Sequence, residues 1–121
     1  MRLPERPGRG GRTQHLAALL LLLWRARGWP RPIAVLSAAT DGVDGNSGAA
    51  GAWFGDRRPG TDRGTRAALR QALHDADTAT FWQGLEQHVP GAETGTNVMD
   101  LLIVGVGVNE RVFHGRGALA L

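Results

Sequence analysis

Two short apolar segments constrain the fold of this chain more than any other feature. Residues 33–38 (IAVLSA) are apolar and partly β-branched, and turn-forming residues follow them directly. A run of this length, in which apolar and polar residues do not alternate, is typical of a strand buried on both faces. Residues 101–108 (LLIVGVGV) predict a second strand on the same grounds.

Helical segments separate these two strands. The spacing of apolar residues predicts helices over 13–25 and 61–74. A further short helix begins near Asp77 or Thr78, and residues 49–54 (AAGAWF) form either a helix or a short strand. This alternation predicts an α/β fold, with a small mixed β-sheet and flanking helices.

The most apolar segment is 16–24 (LAALLLLLW), which follows several Arg residues. Its nine residues fall far short of the roughly 20 needed to span a bilayer. A signal segment is the alternative interpretation, but the charged and bulky sequence RARGWPRP follows, where small residues should mark a cleavage site. We therefore predict a helix buried against the core.

Composition excludes several classes of function. A chain of 121 residues fits one domain, and without cysteine it has no disulfide, no thiolate nucleophile and no cysteine metal site. All 14 positive side chains are Arg, spread among 11 acidic residues, so the net charge is only +3. We expect no nucleic-acid partner, no membrane partner and a cytoplasmic location.

Two glycine-rich loops carry the first candidate site residues. Gly10, Gly11 and Arg12 lie in GRGGR before a predicted helix, where free N–H groups and a guanidinium attract anions. TDGVDG follows the first strand, so that Asp41 or Asp44 can ligate Mg²⁺ or accept a proton from a hydroxyl. A plain structural turn remains the alternative for both loops.

A third polar loop precedes the second strand. Thr94, Gly95, Thr96 and Asn97 offer hydroxyl, amide and backbone groups that can hold an anion. If the two apolar strands run antiparallel, this loop and TDGVDG meet at one edge of the sheet, which would combine two weak signals into one site. The four histidines show no metal-ligand spacing; they are His15, His74, His88 and His114.

Four segments together resemble a known family. In this order, GRGGRTQ, LSAATDGVDG, AAGAW and TGTNVMDLLIV resemble the MOFRL domain, the C-terminal domain of type-2 glycerate kinases, some of which are labelled hydroxypyruvate reductases. The resemblance covers about residues 8–106. It implies ATP-dependent phosphorylation of D-glycerate to 2-phosphoglycerate, with ATP and Mg²⁺ serving the full-length proteins.

The resemblance also implies roles for individual residues. In the family, the active site lies between this domain and a larger N-terminal nucleotide-binding domain. Carried over to this chain, Arg12 and Asp41 are the catalytic candidates, Arg12 contacting the glycerate carboxylate or a phosphate and Asp41 orienting or deprotonating the hydroxyl. The substrate- or phosphate-binding candidates are Gly10, Gly11, Thr40, Asp44, Thr94, Gly95, Thr96 and Asn97.

The domain limits follow from the same comparison. We expect an extended lead-in over 1–7, a MOFRL-like domain over 8–108, and a tail or weak terminal strand over 109–121. The domain is expected to be an incomplete copy of the family's C-terminal domain, inactive without the N-terminal domain as partner. The alternatives are a non-catalytic binding or interaction module that retains the fold, and a small exported protein.

Overall fold

The computed structural model describes residues 8–27, 33–55, 63–92, 94–95 and 99–107. Three helices and four strands lie within these ranges. In chain order they are α1 (Arg12–Arg27), β1 (Ile33–Ala39), β2 (Ala49–Gly55), α2 (Arg63–His74), α3 (Thr78–Gly84), β3 (His88–Pro90) and β4 (Asp100–Val106).

The four strands form one sheet in the order β3-β2-β1-β4. At its centre Val35 of β1 lies between Phe54 of β2 and Val104 of β4. The predicted α/β class is confirmed, but all three pairings are antiparallel, whereas we expected a mixed sheet. The loop of residues 40–48 joins β1 to β2 without a crossover helix, which antiparallel strands allow and parallel strands do not.

Helix α1 covers one face of the sheet and builds the main core. Ala17, Ala18 and Leu21 are fully buried against β1 and β2, since alanine lets the helix backbone approach the strands closely. Trp82 of α3 stacks on Phe54 with ring centroids 6.2 Å apart. The prediction that 16–24 forms a core helix is confirmed, and no described helix is long and apolar enough to cross a membrane.

The other face of the sheet carries a second apolar cluster. Leu36 of β1, Trp53 of β2 and Val89 of β3 are all buried there. Strand β1 therefore buries side chains on both faces, as its unbroken apolar sequence predicts. This double burial fixes the position of the loop that leaves the carboxyl end of β1.

Several element limits differ from the predicted ones. Residues 49–55 form a strand, which was one of the two possibilities, and β4 begins one residue early, at Asp100. Strand β3 was not predicted, because three residues ending in Pro90 are too short to show a periodic pattern. The predicted lead-in over 1–7 and tail over 109–121 lie outside the described residues.

Candidate functional site

Three chain segments meet at one edge of the sheet. Because β1 and β4 are antiparallel, Ala39 at the carboxyl end of β1 pairs with Asp100 at the start of β4. The Thr94 hydroxyl donates to the Thr40 carbonyl oxygen at 2.6 Å, and the Thr40 hydroxyl donates to the Met99 carbonyl oxygen at 2.6 Å. The expected meeting of the two polar loops is thus confirmed, and the amino end of α1 joins them.

These segments enclose a cleft of about 520 Å³. Its charged and titratable side chains come from α1, from the loop between β1 and β2, and from the start of β4. The residues that line it are Gly8, Gly10, Gly11, Arg12, His15, Ala39, Asp41, Val43, Asp44, Gly45, Asn46, Ala76, Thr78, Met99 and Asp100.

Arg12 is the one arginine among the described residues that line this cleft. Its guanidinium lies 3.4 Å from the Asp100 carboxylate, with 75% of the Arg12 side chain and 37% of the Asp100 side chain exposed. An ion pair this exposed contributes only about 0–1 kcal/mol, so an anionic ligand can compete for the guanidinium. Within the described part of the chain, the N–H groups of Gly11 and Arg12 also lack a hydrogen-bond partner.

Asp44 has a structural environment. Its side chain is buried, and its carboxylate accepts the Thr13 N–H at 3.1 Å and both the backbone N–H and the side-chain amide of Gln14 at 2.9 and 3.0 Å. A carboxylate in this position caps α1 and neutralises the positive end of its dipole. The Asp44 carboxylate therefore fills the anion-binding position at the glycine-rich start of α1.

The glycines of GRGGR make this contact possible. A Cβ on Gly11 would collide with the Asp44 carboxylate, so only glycine lets the loop approach the start of α1. Gly10 donates its N–H to the Asn46 side-chain oxygen at 2.9 Å, which joins the same two loops. The motif thus has a structural role here, and direct contact of Gly10 or Gly11 with a substrate stays a prediction.

Asp41 contrasts with Asp44 although only two residues separate them. Asp41 is exposed, and one carboxylate oxygen accepts the Val43 N–H at 3.0 Å in a local turn. Its second oxygen has no hydrogen-bond partner among the residues that the structure describes. Asp41 can therefore accept a hydrogen bond or a proton from a ligand in the cleft. Asp44 cannot, because both of its carboxylate oxygens already accept hydrogen bonds from α1.

The structure also brings residues to the cleft that sequence reasoning missed. In the sequence, Asp100 directly precedes the second apolar segment and shows no link to Arg12. Only its pairing with Ala39 places it beside Arg12. His15 lies one helical turn after Arg12, a spacing that could have identified it. Burial lowers the pKa of His15, and its buried Nδ1 has no hydrogen-bond partner within the ranges that the structure describes.

The third polar loop is only partly described. The Thr94 hydroxyl holds this loop to Thr40. None of the predicted binding residues Thr40, Thr94 and Gly95 is among the residues that line the cleft. Thr96 and Asn97 lie outside the described residues, so their predicted contacts with a substrate stay predictions.

The donor set of the cleft fits a metal only in part. No group of three or more potential ligands occurs among the described residues. Asp41 has one carboxylate oxygen without a described partner, and Asp100 has only an exposed ion pair with Arg12. One or two carboxylates are what Mg²⁺ usually takes from a protein. Among the described residues that line the cleft, one arginine faces three carboxylates, and this charge balance disfavours the triphosphate of ATP.

Comparison with known proteins places this geometry in a family. The MOFRL family matches residues 2–100. Human glycerate kinase is 40% identical over 99 residues, which cover 77% of this chain and 18% of the human protein. A putative hydroxypyruvate reductase from Agrobacterium vitis is 37% identical over 101 residues, covering 83% of this chain and 25% of that protein.

A solved structure agrees with these sequence matches. The crystal structure of glycerate kinase from Thermotoga maritima superimposes with a TM-score of 0.62 at 30% identity, over 84% of this chain and 24% of that one. The chain thus spans about a quarter or less of the length of these relatives. The match over residues 2–100 covers most of the sequence, and the chain belongs to the MOFRL family.

Proposed function

We propose that this chain forms the substrate-binding wall of a glycerate 2-kinase active site and is inactive by itself. The observation that carries the proposal is the cleft in which Arg12, Asp41 and Asp100 converge from three separate segments. The relatives named glycerate kinase support the assignment of D-glycerate as substrate. The activity then belongs to an assembly with the N-terminal nucleotide-binding domain, in the cytoplasm.

Arg12 is suited to hold the substrate carboxylate. Its guanidinium is the cation of the cleft, and it presents two parallel N–H donors to a carboxylate. The adjacent N–H groups of Gly11 and Arg12 have no partner within the described part of the chain, so they can extend the same contact. Binding at Arg12 requires the guanidinium to leave Asp100, which the weak, exposed ion pair permits.

Asp41 is suited to act on the 2-hydroxyl group. Phosphoryl transfer depends mainly on the position of the nucleophile and on neutralisation of charge. The free carboxylate oxygen of Asp41 accepts a hydrogen bond from the hydroxyl and orients its oxygen for attack on the γ-phosphorus of ATP. Asp41 takes the hydroxyl proton as the new O–P bond forms, while the bond from the γ-phosphorus to the bridging oxygen breaks and ADP leaves. With Arg12 on the carboxylate and Asp41 on the hydroxyl, the cleft holds both ends of a small hydroxy acid.

The nucleotide requires residues beyond this cleft. Asp41 and Asp100 are the residues that would hold Mg²⁺, which when bound neutralises charge on the transferred phosphoryl group. The excess of carboxylates in the cleft disfavours a triphosphate bound to this chain alone. We therefore assign ATP to the N-terminal domain of the assembly.

A complementation assay tests this proposal. The Thermotoga maritima glycerate kinase lacking the quarter that matches this chain is mixed with the chain, and D-glycerate-dependent ATP turnover is measured. We expect turnover in the mixture and at least a hundredfold loss with Arg12→Ala or Asp41→Asn. The matched controls are Arg70→Ala, at an exposed position, and Asp75→Asn, whose side chain is 46% exposed. Neither residue lines the cleft, and both variants should retain turnover.

The second candidate function is a non-catalytic binding module. The resemblance to the family implies Asn, Glu, an acidic residue and Asn at the positions that Thr13, His15, Gly48 and Ala76 occupy in this chain. Of these four residues, His15 and Ala76 line the cleft, and Ala76 puts an apolar side chain where the resemblance implies a polar one. If a folded chain binds the truncated kinase without restoring turnover, this second function is favoured.

A further inference from the structure

The two edges of the sheet differ in how they resist pairing with another strand. The β3 edge has three residues, ends in Pro90 and pairs irregularly with β2. Short strands, prolines and irregular register are the features with which natural proteins protect sheet edges. Strand β4, outermost on the other side among the described strands, has seven residues in unbroken register with β1 and contains no proline.

The side chains of β4 are apolar on both faces. Register with β1 places Leu102, Val104 and Val106 on the face that α1 covers, and Leu101 and Ile103 on the opposite face. All five are exposed, by 42–61%. A central strand of a sheet has this composition, whereas an edge strand usually carries charges that prevent association.

We propose that β4 is an interface between two copies of this chain, in which the two β4 strands pair antiparallel about a twofold axis through Ile103. The two sheets then form one continuous sheet of eight strands, which ends at the protected β3 edge on both sides. In this register Leu102 faces Val104 of the partner, so that apolar side chains meet across the axis.

The charges of the strand are compatible with this arrangement. Asp100 is the one charged residue of β4, and the register places it opposite Val106 of the second copy. The two Asp100 side chains are six residues apart along the ladder, about 20 Å, so they do not repel each other appreciably. Arg12 also pairs with Asp100 within each copy.

The area available predicts a weak dimer. The five exposed side chains present apolar surface on the order of 400 Å² per copy, against about 800 Å² per partner in a standard interface. Association therefore requires protein concentrations well above those at which a stable dimer forms. We expect sedimentation velocity to show a monomer at a few micromolar and a dimer at several hundred micromolar.

A single-cysteine experiment tests the register, because the chain contains no cysteine. Ile103→Cys places two thiols directly opposite each other across the axis, within the Cα distance that a disulfide requires. Leu101→Cys is the matched control, equally exposed and on the same face, but its two thiols lie about 14 Å apart because residue 101 pairs with 105.

In a glutathione redox buffer, we expect Ile103→Cys to form covalent dimers at least tenfold faster than Leu101→Cys, and the difference to vanish in urea.

Ile103→Lys should abolish the dimer in sedimentation while circular dichroism shows a folded chain. Leu23→Lys on α1 is the control for added charge, since the α1 helices of the two copies would be about 19 Å apart. Equal cross-linking rates, faster reaction at residue 101, a monomer at all concentrations or open-ended aggregates would each overturn the proposal.

Discussion

The carboxylate of Asp44 is the clearest single determinant of how α1 is placed on the sheet. We predict that Asp44→Asn destabilises the fold strongly although the two side chains have almost the same shape. The carboxylate accepts three hydrogen bonds, from the Thr13 N–H and from two N–H groups of Gln14. An asparagine keeps one acceptor oxygen, but its NH₂ group faces an N–H donor of Thr13 or Gln14 and cannot accept a hydrogen bond from it.

The expected size of the effect follows from this count. One charge-assisted hydrogen bond is lost, which costs about 2 kcal/mol, and the two that remain become neutral and weaker. We therefore expect the free energy of unfolding to fall by about 3 kcal/mol, out of a total of about 5–15 kcal/mol for a domain. The loss of negative charge at the positive end of the α1 dipole acts in the same direction.

Urea denaturation followed by circular dichroism measures this change. With a slope m of about 2 kcal/mol per molar urea, the midpoint should fall by about 1.5 M while m stays constant. Asp41→Asn is the control, since Asp41 is exposed with one local hydrogen bond, and it should cost less than about 1 kcal/mol. A loss below 1 kcal/mol for Asp44→Asn, or equal losses for both variants, would refute the structural role of Asp44.

Three further predictions concern other parts of the fold. Gly42→Ala should lower the free energy of unfolding by about 2 kcal/mol or more in urea melts, because Gly42 has φ of +85° and an added Cβ would collide with the Ala92 carbonyl oxygen. Trp82→Leu should cost about 3 kcal/mol, read as a lower thermal midpoint, since the fully buried indole stacks on Phe54 and donates to a backbone carbonyl at 3.0 Å. Burial lowers the pKa of His15 below its unfolded value of about 6.5, so the unfolded chain binds the proton more readily and stability falls as the pH drops below 6.5. His15→Gln should lose part of this decline between pH 7.5 and pH 5, and an identical decline in both proteins would contradict the assignment.

The helices and strands were largely predictable from local sequence. The apolar spacing in α2 is periodic because one face of that helix is apolar. In α1 and β1 the signal is an unbroken apolar run between turn-forming residues, because β1 is buried on both faces. Strand β3 was missed for the opposite reason. Its three residues have no period of their own, and pairing with β2 is what makes them a strand.

The candidate site was predictable as a set of loops but not as a set of roles. The sequence by itself determined that two polar loops flank two apolar strands, and that Arg12 begins a helix after glycines. Asp41 and Asp44 are equivalent by local sequence, because each is followed directly by a glycine in an Asp-Gly turn dipeptide. No local pattern separates a carboxylate that caps a helix from one that faces a ligand.

Tertiary structure decided that difference, and it also brought Asp100 to Arg12. Asp44 contacts the start of α1 about thirty residues away in the chain, and Asp100 reaches the cleft only because β4 pairs with β1. Both outcomes depend on contacts between distant segments, whose positions are set by packing and strand register. Local sequence therefore determined which segments are helical, extended or polar, whereas the packing of α1 and β4 on β1 determined which polar groups remain free for chemistry.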